Sequence, residues 1–222
     1  RDPGQEIEGS KIYDINRFTL RSLLENLGCE TLDVGIFRDN LNDIYDGLRN
    51  AAEDNDLLIT SGGVSKGEED HVRAALENLG ALHTWNLLIK PGRPIALGHV
   101  LDDDRQVPLV GLPGNPVAVL VTFLRIARPI ILLLSGATQI EPILYSVPAA
   151  FSFQKKPGRR EWLRASLQRN QKSILNAVKY PWDGSGILSS MVASDGLVEL
   201  SEATTKVAEG DMIDFLSFKE VM

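Results

Sequence analysis

Apolar residues in the first eighty positions recur first at helical spacing and then in short, nearly unbroken runs. From Asp14 to Leu27 the positions Ile15, Phe18, Leu23, Leu24 and Leu27 approximate a helical stripe, with Asp14 placed to cap its start and Gly28 just past its end. A strand-like run through Thr31, Leu32, Val34 and Ile36 follows. A second amphipathic helix then carries Ile44, Leu48, Ala51 and Ala52 on one face and ends at polar Glu53 to Asp56. Leu57-Leu58-Ile59-Thr60 reads as a strand buried on both faces, and beyond a glycine-rich loop a third helix carries Val72, Leu76 and Leu79 and stops at Gly80. Strands alternating with helices of this length predict an α/β fold of right-handed βαβ units, a mostly parallel sheet with helices on both faces.

After Gly80 the rhythm changes. Leu87 to Lys90, Pro94 to Val100 and Gln106 to Leu112 read as strands, the last two joined by a hairpin turning at Asp102-Asp103-Asp104. These aspartates lack the alternating ligands and terminal Glu of a calcium loop, so the reading is a solvated turn. A helix begins at Pro116, restarts at Pro129 and ends before Gly136. Beyond about Pro142 the runs become short and alternating, broken by Pro and Gly: Leu144 to Phe153, Glu161 to Leu167, Ile174 to Val178, Gly196 to Leu200 and Asp211 to Phe218. They predict a small all-β domain, with the basic cluster Lys155, Lys156, Arg159 and Arg160 in a solvated loop.

Composition sharpens this picture in three places. With 43% hydrophobic residues among 222, the chain can bury one good core or two modest ones. The longest apolar stretch, Ile126 to Leu134, is interrupted by Arg128 and Pro129 and falls short of the roughly 20 residues that span a bilayer, so no transmembrane helix is expected. The polar, acidic start shows no export signal, and a cytoplasmic address is expected. The single cysteine, Cys29, cannot form an internal disulfide and is expected to be buried and inert. A formal net charge of -7 disfavours nonspecific binding to nucleic acid or anionic membranes. Any anionic ligand must be gripped locally.

Local grips are present. Three polar loops follow predicted strands: Arg38-Asp39-Asn40, Ser61 to Asp70, and Pro113 to Pro116. In an open parallel sheet, ligands bind beyond the carboxyl ends of strands, so these loops are expected to face one crevice. Gly62 and Gly63 permit close backbone approach, Ser61 and Ser65 supply hydroxyls, and Val64 and Gly67 complete a loop suited to a phosphate or another oxyanion. Gly-x-Gly-x-x-Gly is absent, and Gly67 is followed by Glu68 rather than Lys, so neither common nucleotide motif fits; a packing turn is the alternative. Gly114 and Asn115 lie between the stiff Pro113 and Pro116, while Lys90-Pro91-Gly92-Arg93-Pro94 is a similarly rigid turn with two cations for an oxyanion. Asp39 and Asp70 suit a Mg²⁺ site that combines one or two carboxylates with phosphates, or alternatively serve as helix caps. His71, His83 and His99 lack metal-ligand spacing and read as structural or surface residues. Gly-x-Ser-x-Gly is absent, which argues against a serine hydrolase.

Taken in order, Thr-Ser-Gly-Gly-Val-Ser-x-Gly-x-x-Asp from Thr60, Lys-Pro-Gly-Arg-Pro from Lys90 and Gly-Leu-Pro-Gly-Asn-Pro from Gly111 resemble the molybdopterin molybdenumtransferases, the MoeA and gephyrin E-domain family. The likeness extends through Lys11 to Arg17, where the family more often has Ser or Thr at the position of Ile15, and through Gly35 to Asp39. It continues into Arg160 to Arg164 and Gly184 to Met191. The resemblance implies a molybdopterin-binding domain over 1–142 and a C-terminal β-barrel domain over 143–222. It implies insertion of molybdate into adenylylated molybdopterin with release of AMP in a Mg²⁺-dependent step, and a homodimer. On it, Ser61, Gly62, Gly63, Val64, Ser65, Gly67, Pro113, Gly114, Asn115 and Pro116 cradle the pterin phosphate or nucleotide. Asp39 and Asp70 help hold the metal, and Lys90 and Arg93 attract oxyanions. Family members carry further N-terminal domains and a strand ending in Thr-Gly-Asp-Glu just upstream, so a sheet short of one strand and an incomplete site are expected here.

Two other readings stay open at this level. A molybdopterin adenylyltransferase shares the sheet domain, but its loop continues Gly-Gly-Thr-Gly where this chain has Gly63-Val64-Ser65, and it lacks the second domain. A non-catalytic scaffold module of the same fold is the other, although no partner groove is legible.

Overall fold

The computed structural model describes residues 1–9, 12–64 and 71–222, which pack as two compact units. The first comprises residues 1–87 and 94–123, the second 88–93 and 124–222.

In the first unit, helix α1 spans Asn16–Asn26 and α2 Leu41–Ala52. Strand β1 covers Leu58–Ser61, α3 His71–Leu79 and β2 Gly80–Asn86. In the second unit β3 is the short Ile89–Lys90. Returning to the first, β4 is Pro94–Asp102, β5 Arg105–Leu112 and α4 Pro116–Thr122. The sheet order is β1-β5-β4-β2. Only β1 and β5 run parallel among its described strands, the β4–β5 and β2–β4 pairs being antiparallel. The expected mostly parallel sheet is therefore corrected to a mixed one, for two physical reasons. The β4–β5 connection is a two-residue turn at Asp103 and Asp104, with Asp103 at φ +51, and so short a turn can join only antiparallel strands. The alternating run Thr31 to Ile36, expected as a strand, pairs with no strand among the described residues; it bends at Gly35, φ +81, whose N–H donates to the Asp33 carboxylate, and Leu32, Val34 and Ile36 are exposed. Conversely β2 was not foreseen, because its half-buried residues alternate too weakly.

Helix termini follow local chemistry. Asp14 does not occupy the N-cap position, which falls to Ile15, yet its carboxylate still accepts the Arg17 N–H at 3.2 Å. At the other end Gly28, at φ +79, lets its own N–H reach the Glu25 carbonyl and that of Cys29 reach Leu24, closing α1 in a Schellman arrangement. Within α1, Leu20 and Leu23 are buried, whereas Phe18 is exposed, a correction to the stripe. The face of α2 is as read: Ile44, Leu48, Ala51 and Ala52 join Val72, Leu76, Leu79, Val100 and Leu109 in one core.

Cys29 is half-buried, and burial pushes its thiol pKa up. A raised pKa leaves less thiolate at neutral pH, and the thiolate is the nucleophile. Reaction of Cys29 with an aromatic disulfide at pH 7.5 is expected to be at least several-fold slower than that of free cysteine. Equal rates would contradict an inert role.

In the second unit, residues 124–127 lead into α5, Arg128–Leu134. Strands β6 (Tyr145–Pro148), β7 (Phe153–Gln154), β8 (Arg160–Arg169) and β9 (Leu175–Lys179) follow. Then come α6 (Ser189–Val192), β10 (Gly196–Leu200), β11 (Lys206–Val207) and β12 (Met212–Ser217). One sheet has the order β3-β8-β10-β12-β6 with β9 on β8, and β7 pairs β11 separately. Val147, Leu163, Ala165, Val198 and Phe215 belong to its core.

Two expectations for this region change. Helical structure is continuous from Pro116 to Leu134, because a π-turn at Phe123–Ala127 precedes Pro129 and absorbs the backbone carbonyl that proline cannot bond. By length and composition this helix could cross a membrane, contrary to the reading of an interrupted stretch, but more than half of it is buried within the protein. The side chain of its Arg125 is only 9% exposed and lies 3.2 Å from Glu199 and 3.5 Å from Glu141, contacts expected of a helix packed on protein. The basic cluster is a loop leading into β8, as read, but it is only partly solvated: Lys156 to Gly158 are exposed. Lys155 is buried and donates to the carbonyls of Lys156 and Arg159, Arg159 pairs with Glu161, and Arg160 pairs with Glu199 and Glu202. Carboxylates thus answer the two arginines, and backbone carbonyls answer Lys155.

Candidate functional site

The parallel pairing of β1 with β5 sets Ser61 beside Leu112, so the two strands end together and release their loops side by side. Gly62 donates its N–H to the Leu112 carbonyl at 3.1 Å. Gly62 and Gly63 have φ of +85 and +68, a region that favours glycine. A Cβ on Gly63 would also stand 2.9 Å from Val72 Cγ2. Val64 turns inward to the core while Gly114 and Asn115 are exposed. Pro116 begins α4 with Asn115 as N-cap, as the fixed φ of proline suggested. A Cβ on Gly114 would lie 3.7 Å from Gly62 Cα, so the loops meet backbone to backbone.

A residue not singled out as part of the site holds them together. Asn16, at the start of α1, donates its amide to Ser61 Oγ at 2.9 Å and to the Gly114 carbonyl at 2.7 Å. Ser61 Oγ in turn donates to the Pro113 carbonyl at 3.2 Å. One side-chain amide thus ties α1 to both loops. Its signal in the sequence was membership of the Lys11 to Arg17 stretch; spacing alone could not reveal contacts to residues 45 and 98 positions away. The next residue, Arg17, pairs with Asp2, Asp14 and Asp33, anchoring the chain on either side. Replacing Asn16 with alanine is expected to speed amide exchange in 61–64 and at Gly114 and Asn115 by about tenfold, from loss of two hydrogen bonds worth about 1 kcal/mol each, partly offset by water. Unchanged exchange would mean that Asn16 clamps nothing.

The remaining predicted residues are distributed less simply. Asp39 is exposed, and the cap of α2 is its neighbour Asn40, whose side chain accepts the Asp43 N–H at 2.9 Å, which corrects the capping alternative for Asp39. Ser65, Gly67 and Asp70 lie outside the described residues. Lys90 and Arg93 belong to the second unit. There the Lys90–Pro91 peptide is cis, Gly92 has φ +98, Arg93 is exposed, and Lys90 Nζ lies 3.4 Å from the buried Glu161 carboxylate. Lys90 is therefore half of an ion pair rather than an isolated cation. Arg164, also buried, donates to the carbonyls of Gly184 and Trp182 and to Ser190 Oγ, organising the segment that follows β9. Burial holds this guanidinium pKa below its ordinary value.

Glycines at the ends of two adjacent parallel strands, a serine hydroxyl and a proline-stiffened turn make a small, neutral, pre-organised cradle. Against known proteins, residues 3–132 match the family described as probable molybdopterin binding domain, and residues 146–218 match the MoeA C-terminal region, domain IV. The chain belongs to the molybdopterin-binding-domain family. Among curated relatives it is similar to the molybdopterin molybdenumtransferase of Haemophilus influenzae, 34% identical over 220 residues, which cover 99% of this chain and 54% of that protein. The molybdopterin molybdenumtransferase of a Nostoc species is 34% identical over 165 residues, covering 73% and 38% respectively. A solved molybdopterin biosynthesis MoeA protein from Pyrococcus horikosii has a TM-score of 0.80 at 26% identity, over 98% of this chain and 51% of that one. The chain spans about half the length of the H. influenzae relative.

Proposed function

We propose that this chain is the part of a molybdopterin molybdenumtransferase that binds the pterin substrate, acting in molybdenum cofactor biosynthesis by inserting molybdate into adenylylated molybdopterin with release of AMP. The observation that carries the reading is the joining of the Ser61–Val64 and Pro113–Pro116 loops at the parallel β1–β5 ends, within a chain that matches the binding domain and the MoeA C-terminal region in order. In this reading residues 1–142 form the binding domain and 143–222 the family's C-terminal barrel. The cradle made by Ser61 to Ser65 with Gly67 and by Pro113 to Pro116 receives the pterin phosphate or nucleotide. Lys90 and Arg93 attract molybdate.

Mg²⁺ fits as a partner of the substrate. Among the described residues no three His, Cys, Asp or Glu side chains gather to hold an ion. Mg²⁺ is commonly held by one or two carboxylates together with substrate phosphates, and exposed Asp39 can supply one of them, with Asp70 as the second in this reading. Bound there, the ion would neutralise phosphate charge. Asn16 keeps the cradle closed, and the glycines let backbone amides approach the anion. A homodimer and a cytoplasmic location complete the proposal.

Calorimetry of the 222-residue chain with molybdopterin tests the binding role, and the full gene product supplied with adenylylated molybdopterin, Mg²⁺ and molybdate tests the reaction. Saturable one-to-one binding and formation of active cofactor with AMP are expected. Absence of pterin binding by both forms would overturn the proposal.

A further inference from the structure

Two histidines stand side by side on the four-stranded sheet, and the pterin chemistry uses neither. His99 on β4 pairs across the antiparallel ladder with Ala81 on β2, so His83, two residues further along β2, shares its face. The ladder slips register between Leu82 and Thr84, and a bulge of that kind re-aims the side chain at its centre. His83 Nε2 consequently lies 2.9 Å from His99 Nδ1, with ring centroids 5.0 Å apart and planes tilted by 34°. His83 is exposed and His99 half-buried, so the pair is open to solvent.

As a hydrogen bond, this contact needs one imidazole to donate and the other to accept. With both rings neutral and both of these nitrogens unprotonated, the same two atoms offer lone pairs that face each other nearly head-on, and side-chain rotation would turn both onto one ion. Their separation is informative. At metal–nitrogen distances of about 2.0–2.1 Å, adjacent ligands of a square-planar centre stand about 2.8–3.0 Å apart, whereas tetrahedral ligands stand about 3.3–3.4 Å apart. At 2.9 Å the two nitrogens already stand as close as ligands of one ion, so binding calls for rotation of the rings and not for movement of the strands. Square-planar and tetragonal nitrogen sites select Cu²⁺ or Ni²⁺, and Cu²⁺ binds most tightly in the divalent series. On the ladder His99 is flanked by Ala81 and Pro108, which bring no competing cation, and the chain's net charge of -7 favours cations generally. No cluster of three ligating side chains forms among the described residues, so water would complete the coordination.

We propose that His83 and His99 form a surface site for a divalent transition-metal ion of tetragonal preference, Cu²⁺ first and Ni²⁺ second, ligated through His83 Nε2 and His99 Nδ1. This does not rest on the pterin reading. Calorimetric titration of the tag-free 222-residue chain with Cu²⁺ tests it, alongside His83→Asn, His99→Asn and His71→Asn. Pulsed electron paramagnetic resonance of the Cu²⁺ complex of the unsubstituted chain should show two imidazole nitrogens, a readout independent of how the variants fold. One equivalent is expected to bind, weakened at least tenfold by either ladder substitution and unchanged by His71→Asn. Binding that survives the double substitution, a spectrum with fewer than two imidazoles, or no bound equivalent at micromolar Cu²⁺ would overturn the proposal and leave the pair as a hydrogen bond between strands.

Discussion

Glu199→Ala is expected to lower the unfolding free energy by about 3–5 kcal/mol, the range for removing one partner of a buried charge pair. Glu199 sits on β10 at 7% side-chain exposure, and its two oxygens serve three groups. Arg160 donates to one at 2.8 Å, the buried Trp162 indole N–H donates to the other at 2.8 Å, and Arg125 lies 3.2 Å from that same oxygen. Arg125 matters most, since its side chain is only 9% exposed and two of its nitrogens already lack a hydrogen-bond acceptor. Without Glu199 the acid near it among the described residues is Glu141, at 3.5 Å and largely in solvent. Trp162 loses its acceptor as well. Arg160 is the least affected: Glu202 still holds its pKa above the ordinary value, chiefly through their hydrogen bond. Urea denaturation checks the prediction, and Glu199→Gln, which keeps an acceptor for Trp162, should cost less. A loss below about 1 kcal/mol would show that water replaces the carboxylate.

Gly111→Val links stability to the cradle. Gly111 faces Thr60 across the β1–β5 ladder, and even a Cβ there would approach Val64 Cγ1 to 2.8 Å, Ala96 Cβ to 3.0 Å and Thr60 Oγ1 to 3.3 Å. Overpacking of this kind costs about 1–3 kcal/mol, and valine, with two further methyls, belongs at the upper end. Relief requires moving Val64, Ala96 or Thr60, and Thr60 and Val64 flank the Ser61-Gly62-Gly63 turn. Thermal unfolding should report the loss, and pterin binding should weaken at least tenfold if the cradle shifts with the strand. Wild-type stability would show that the β1–β5 seam has slack. Lost stability with unchanged affinity would separate the cradle from the strand that carries it.

Much of the cradle was legible because its determinants are local. Positive φ at Gly62 and Gly63, the rigid Pro113 to Pro116 turn, Pro116 at a helix start and the Asp103-Asp104 hairpin each depend on a few adjacent residues. Asn16 was missed as a site residue because its hydrogen bonds join segments distant in sequence. The segment Thr31 to Ile36 was misread for a related reason: alternation describes a surface that could pair, while a strand needs a partner.

Charge was harder to read than shape. Lys155, Lys156, Arg159 and Arg160 look alike as a basic run, yet Lys155 is buried on carbonyls while Arg159 and Arg160 answer Glu161, Glu199 and Glu202. Lys90, read as an anion grip, faces Glu161. Counting cations along a chain cannot show which carboxylates return from later strands to meet them.

By itself, then, the amino-acid order determined where α1 and α3 stop and α4 starts, which faces of α2 and α3 are apolar, and where glycine and proline stiffen the loops, because those properties arise within a turn or two of backbone. The tertiary structure alone decided the mixed sense of the first sheet, the Asn16 clamp, the pairing of Arg160 with Glu199 and the meeting of His83 with His99. Each of these is a contact between residues far apart in the chain, and its energy exists only once folding has brought both partners out of water and into register.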